Sequence, residues 1–206
     1  MNKAIRWVGA VGAVTVLAGC ASLMYSAPSE QETLAVIKAG FRERGIARLD
    51  RLQQSELQKA CTETKNNPPK DVRERLEKAA LATVKYPADG KFLGDFKQGE
   101  RIAQSGVGMQ WTDTPTTVNG GNCYACHQLS KEEISFGNIG PSLHNYGKLR
   151  GNSEQVLKYT WAKIWNTHSF NACSSMPRFG DAGILTEEQI RHLMALLLDP
   201  ESPINK

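Results

Sequence analysis

Cys123-Tyr124-Ala125-Cys126-His127 constrains this 206-residue chain more than any other stretch. The C-x-x-C-H spacing is the signature for covalent attachment of a c-type haem. Two thiols add to the porphyrin vinyl groups, and the histidine that follows becomes an axial ligand of the iron. Two other chemistries use a C-x-x-C pair. A redox dithiol needs a βαβ setting, and no stretch here reads as a strand. A zinc site needs a second ligand pair. The motif therefore predicts one covalently bound haem c, held by Cys123 and Cys126, with His127 on its iron.

Around the motif the sequence reads as helices separated by glycine-rich loops, with no internal repeat, so the fold class is all-α. Leu34, Ile37 and Phe41 fall at helical spacing, with Gly45 as the stop. Ser55 is placed to cap a short helix carrying Leu57 and Cys61. Asn66-Asn67-Pro68-Pro69 breaks the chain, and Pro69 suits the first turn of the next helix. Val72, Leu76, Ala79, Ala80 and Val84 form its apolar stripe. Tyr86-Pro87-Ala88-Asp89-Gly90 is a turn cluster and marks a domain boundary. Further helices are predicted from Asp95 to Gln104, from Ser153, and from a capping box of Thr186 and Gln189 to Asp199-Pro200. A loop runs from Ser105 to Asn122. The division is thus an export signal over 1–19, a helical N-terminal extension over 20–88 and the haem domain over 89–206. The extension has few large apolar groups and is suited to lie against another surface.

Lys3 and Arg6 precede a run from Val8 to Ala18 that is apolar apart from Gly and Thr. At about eleven residues it is short of the roughly 20 that cross a bilayer, and it has the make-up of a secretory signal. Leu17-Ala18-Gly19-Cys20 resembles a bacterial lipobox, which implies cleavage before Cys20 and lipid attachment there. The other reading is an ordinary cleavage nearby, with Cys20 incidental. Both export the mature chain to a periplasmic, disulfide-permitting compartment. The chain has five cysteines. With one for lipid and two for haem, Cys61 and Cys173 remain. Either they form a disulfide, stabilising by about 2–4 kcal/mol, or Cys173 is a reactive thiol.

An iron that only carries electrons takes two axial ligands. His144, His168, His192, Met109, Met176 and Met194 are candidates for the second. Met194 lies within the last helix and reads as core, and His168 is the rival of Met176. Met176-Pro177, on a loop after the middle helix, resembles the way class I cytochromes c present their thioether. Gly140-Pro141-Ser142-Leu143 resembles the G-P-x-L loop of the same group. That likeness implies that the Pro141 carbonyl accepts the imidazole N–H of His127 and that Leu143 lines the haem pocket. Gly94 and Gly99 match the close crossing of the group's terminal helices, although Ala103 and Leu196 stand where an aromatic pair is usual. Lys148, Arg150 and Arg178 are candidates for propionate contacts. A thioether ligand raises the potential, whereas a second imidazole lowers it.

Four stretches carry a narrower likeness: Tyr86 to Lys91, Gly94 to Ala103, Gly120 to Gln128 and Asn171 to Gly180. They resemble the SoxX family, the monohaem subunits of the SoxAX cytochromes of bacterial sulfur oxidation. The likeness runs from Ser55 to Asn205 and leaves 20–54 outside it. It implies a heterodimer with a SoxA-type partner. That complex joins thiosulfate oxidatively to a cysteine of the SoxYZ carrier, an L-cysteine S-thiosulfotransferase reaction. In the family the reactive cysteine belongs to SoxA. This chain is then expected to hold no catalytic residue and to pass electrons through a His/Met haem to a small soluble cytochrome c. A free-standing periplasmic shuttle and a lipid-tethered haem module of a respiratory chain are the other classes open. Lys plus Arg exceed Asp plus Glu by only 25 to 21, with Lys3 and Arg6 in the signal. That surplus is too slight to argue for nucleic acid or an anionic membrane surface as a partner.

Overall fold

The structure is a computed structural model and describes residues 27–206, so the export signal and Cys20 lie outside the described residues. Among those residues the chain is all-α. Seven α-helices are joined by loops and short 3-10 turns, with an isolated bridge between Arg44 and Ala47 and no strand. No helix among them is long and apolar enough to cross a membrane.

The chain divides into two compact units, 1–41 and 42–206. The described part of the first holds α1, Glu30–Gly40. Ser29 opens it with a capping box: its hydroxyl accepts from the Glu32 N–H, and the Glu32 carboxylate accepts from the Ser29 N–H. The helix stops at Gly40, before the predicted stop at Gly45, because Phe41 is already extended. Gly45 belongs instead to a tight reversal in the second unit, where Arg44 and Ala47 exchange both backbone hydrogen bonds and Gly45 takes a φ of 53°.

In the second unit, α2 is Glu56–Glu63 and α3 is Lys70–Ala82. Ser55 and Gln58 form the capping box of α2. Pro69 sits one position outside α3, as its N-cap residue. Of the predicted stripe on α3, Leu76 and Ala80 are buried, Val72 and Val84 half-buried, and Ala79 faces solvent. The four inward positions are spaced by four residues, which sets one ridge of the helix against its neighbour. That neighbour is the end of α6 (Glu154–Trp165). Asn166 Nδ2 donates to Thr83 Oγ1 at 3.0 Å and to the Ala80 carbonyl at 3.5 Å. Trp161 Nε1 donates to the Lys85 carbonyl at 2.8 Å. Residues 42–88 therefore fold into the same unit as 89–206.

The core forms where α4 (Phe96–Gln104), α6 (Glu154–Trp165) and α7 (Glu187–Leu198) meet. α7 buries Ile190 and every residue from Leu193 to Leu198, so it is apolar on almost all sides and has to be central. Each fully buried Leu or Ile contributes about 1.5–3 kcal/mol. α4 crosses α7 at Gly99, where a Cβ would overlap the His192 carbonyl and approach Leu196 Cβ. Gly94 N–H donates to the Arg191 carbonyl at 2.9 Å and fastens the start of α4 to α7. Ala103 and Leu196 are both fully buried, an aliphatic pair in place of the aromatic one.

A short helix, α5 (Tyr146–Arg150), has no counterpart in the sequence reading. Asn205 holds it. The Asn205 Oδ1 accepts from the Gly147 and Lys148 N–H groups, while Nδ2 donates to the carbonyls of Leu197 and Asp199. One side chain thus satisfies orphan groups at the start of α5 and the end of α7.

Candidate functional site

Cys123, Tyr124 and Ala125 form a single 3-10 turn. The Cys123 carbonyl accepts from the N–H groups of both Cys126 (3.1 Å) and His127 (2.9 Å), which curls the motif on itself. The residues just before it are tied to α4: Gly121 N–H donates to the Ile102 carbonyl and Asn122 N–H to the Ser105 carbonyl. Tyr124 is buried between the cysteines, and its hydroxyl donates to Glu100 Oε1 at 2.9 Å. Burial, and then that hydrogen bond, push the phenol pKa up, so Tyr124 is a neutral donor.

Both motif thiols are half-buried and unpaired. Burial pushes the Cys123 thiol up to about 12. A redox dithiol works through a lowered pKa in an electropositive setting, and this enclosure does the opposite. Among the described residues no three His, Cys, Asp or Glu side chains converge as a metal site.

The loop 137–143 folds back along the motif. Gly137 N–H donates to the Tyr124 carbonyl, Gly140 N–H to Cys126 and Leu143 N–H to Gln128, each at 2.8 Å. This strip of backbone bonds brings the Pro141 carbonyl to 2.7 Å from His127 Nδ1. The carbonyl can only accept, so Nδ1 carries a proton, and in the neutral ring the lone pair lies on Nε2. Gly140 lies flat against the ring, and a Cβ there would overlap the imidazole. The interaction implied for Pro141 is thus present as geometry. Leu143, Cys123 and Met176 all pack against the same core cluster.

Met176 is half-buried on a loop secured from several sides. The disulfide Cys61–Cys173 joins it to α2 across 112 residues of sequence. Met176 N–H donates to Ser174 Oγ at 3.2 Å, and Ser174 Oγ accepts from Thr167 Oγ1 at 3.1 Å. Gly180 and Asp181 N–H both donate to the Trp165 carbonyl at the end of α6. His168 is part of this scaffold. Its Nε2 faces the Ser174 carbonyl at 3.2 Å, and burial lowers its pKa, so the ring is a neutral donor already engaged.

The remaining candidates separate by environment. His192 Nδ1 accepts from the Asp95 N–H at 2.9 Å and serves the α4–α7 crossing. Met194 is fully buried in the core, and Met109 Sδ is 3.8 Å from Asn119 Nδ2. His144 has both ring nitrogens enclosed without a partner. Arg178 pairs with Asp181 at 3.1 Å, Arg150 lies over the Tyr146 ring, and Lys148 is exposed. Trp165 Nε1, which the sequence does not mark, is a buried indole donor with no acceptor. A donor of that kind suits a carboxylate brought in by a bound group. Two unpaired thiols on one turn, an imidazole with Nε2 free, a thioether on a braced loop and an orphaned buried N–H are a donor set that fits a c-type haem.

No family model matches the chain. It is 41% identical over 157 residues to an uncharacterized lipoprotein of Aquifex aeolicus (strain VF5), a match that covers 74% of this chain and 73% of that protein. The chain belongs to that protein's family. The matched length exceeds the segment 89–206, so the kinship extends N-terminally of it and includes residues before Asp89.

Proposed function

We propose that this chain is a monohaem c-type cytochrome, the electron-transfer subunit of a SoxAX-type complex. The observation that carries the haem reading is the pairing of the Cys123–His127 turn with the Pro141 carbonyl, which leaves His127 Nε2 free. Cys123 and Cys126 would hold the haem as thioethers, with His127 and Met176 as axial ligands. Leu143 would line its pocket. When bound, the haem supplies one-electron redox chemistry. This chain's own residues orient the imidazole through Pro141, present the thioether on the loop braced by Cys173 and Trp165, and keep the buried side of the site dry through Tyr124 and the α4–α7 core.

The SoxX resemblance supports the partner reading: a SoxA-type subunit, transient contact with a SoxYZ-type carrier and electron exit to a small soluble cytochrome. Ile134, Phe136 and Ile139, on the loop between His127 and Gly140, are exposed apolar side chains of the kind a partner covers. The relative's description as a lipoprotein supports acylation of Cys20 and a periplasmic location on a membrane surface. It also favours a second reading, a lipid-tethered electron carrier of a respiratory chain.

The test is purification of the exported protein from cells able to attach haem. One haem per chain, with its mass on the peptide containing Cys123 and Cys126, is expected. Co-purification with a second haem polypeptide supports the SoxAX reading, and a monodisperse monomer supports the tethered carrier. A colourless protein with both thiols free would overturn both.

A further inference from the structure

The Cys61–Cys173 disulfide forms part of the wall of a cavity of about 390 Å³, whose other lining groups include Gln58, Asn66, His168, Met176 and Arg178. No aspartate or glutamate lines this cavity. Arg178 places one guanidinium nitrogen on Asp181 and is otherwise part-exposed, so a positive group stands at the rim. Gln58, Asn66 and Ser175 bring neutral polar side chains to its wall. The two sulfurs differ in depth, since Cys61 is buried and Cys173 half-exposed.

Few reagents open a disulfide, and the common ones are sulfur nucleophiles that carry negative charge when reactive. A polar, carboxylate-free cavity ending on a disulfide concentrates that class. We infer that Cys61–Cys173 is a covalent modification site for small anionic sulfur nucleophiles, with Cys173 as the sulfur attacked. The nucleophile's sulfur forms a bond to Cys173 Sγ, and the Cys61–Cys173 bond breaks with its electron pair on Cys61 Sγ, which takes a proton from water. Sulfite leaves an S-sulfonate on Cys173, and a thiolate leaves a mixed disulfide. The attacking sulfur is oxidised as the Cys61 sulfur is reduced, so no further oxidant is required. This goes beyond the electron-transfer reading and does not depend on it.

The experiment treats the full mature protein, without denaturant, with sulfite and locates the product by peptide mass. Rates are then compared for an anionic thiol, 2-mercaptoethanesulfonate, and a cationic one, cysteamine, each normalised to its reaction with the neutral disulfide of 2-mercaptoethanol. A single sulfonate on Cys173 is expected, with the anionic thiol favoured by about tenfold at low salt. High salt and Arg178→Gln should each erase that preference, and Arg178→Lys should retain it. Should Arg178→Gln fail to fold, the salt dependence of the wild type carries the same information. Reaction only after unfolding, attachment at Cys61, or equal rates for the two thiols would overturn the inference.

Discussion

His127 Nδ1 and the Pro141 carbonyl oxygen stand 2.7 Å apart across fourteen residues of sequence. The contact fixes which imidazole nitrogen is free, and it exists because Gly140 has no side chain to hold the loop away from the ring. Gly140→Ala should therefore displace the imidazole or the loop, a steric conflict of about 1–3 kcal/mol. The expected result is a lower thermal midpoint, read from an unfolding curve, and, on the proposed haem reading, a lower fraction of chains carrying haem. Full haem loading and an unchanged midpoint would mean that the two segments adjust without strain.

Met176 and His168 are the two ligand candidates on the same loop system, and the structure gives them different work. His168 Nε2 is spent on the Ser174 carbonyl, whereas the Met176 thioether is half-buried against the core. On the proposed haem reading, Met176→Ala should abolish the sulfur-to-iron charge-transfer band of the ferric protein and lower the reduction potential. His168→Ala and His144→Ala should each keep the band. Absence of the band from the wild type would point to a histidine, and its persistence in Met176→Ala would remove Met176 as the ligand.

Helices opened by a polar cap and filled at helical spacing were legible in the sequence. Ser55, Asp95, Ser153 and Thr186 all cap helices, because a side-chain oxygen at that position satisfies a local N–H whatever the rest of the fold does. α5 was not legible. It is five residues long, and its N-terminal N–H groups are satisfied by Asn205, fifty-eight residues from Gly147, which no local pattern announces. The end of α1 was misjudged for a related reason: Gly45 is a turn glycine, required by a reversal after the helix had already finished.

The candidate site was legible where it is local and obscure where it is not: Cys123, Cys126 and His127 fall on one local turn, closed by the Cys123 carbonyl. The pairing of Cys61 with Cys173 was one of two readings left by counting cysteines, and the structure contains the bond. Trp165 Nε1 had no signal. A tryptophan at the end of an amphipathic helix reads as core, and only the surrounding packing reveals that its N–H has no acceptor.

The bridge between Cys61 and Cys173 closes a loop of 112 residues. Constraint of the unfolded chain by a loop near that size is worth about 4–5 kcal/mol. Replacing both cysteines with alanine should lower the stability of the unit by an amount approaching that figure, with a shift in denaturant midpoint. The double variant is the cleaner choice, since a single change leaves a buried thiol at Cys61 or a free one at Cys173. On the proposed haem reading, the ferric band expected from Met176 should also become more heat-sensitive, because the loop loses its tie to α2. A loss below about 1 kcal/mol would mean that hydrogen bonds from Thr167 and His168, and those the Trp165 carbonyl accepts, suffice to hold it.

Asp89 and Arg191 join the turn before α4 to α7 through two hydrogen bonds of 2.9 and 2.8 Å, and Glu187 holds the same guanidinium. Asp89 is the group to follow with acid. The hydrogen bonds from Arg191, and then the Lys91 N–H, hold its carboxyl at about 2 in the folded chain, against an ordinary value of 3.8. A depressed folded pKa means that the folded state favours the charged carboxylate. The contribution is therefore fully present above about pH 4 and fades as pH falls towards 2. Asp89→Asn removes the charge at every pH. Stability of the wild type measured against this variant should show a constant advantage near neutrality that narrows below about pH 4 and is lost as pH falls through about 2. Because the carboxylate is half-exposed, added salt should shrink the neutral-pH advantage as well. An advantage that persists unchanged to pH 2 would assign the effect to packing of the turn and remove the ion pair from the account.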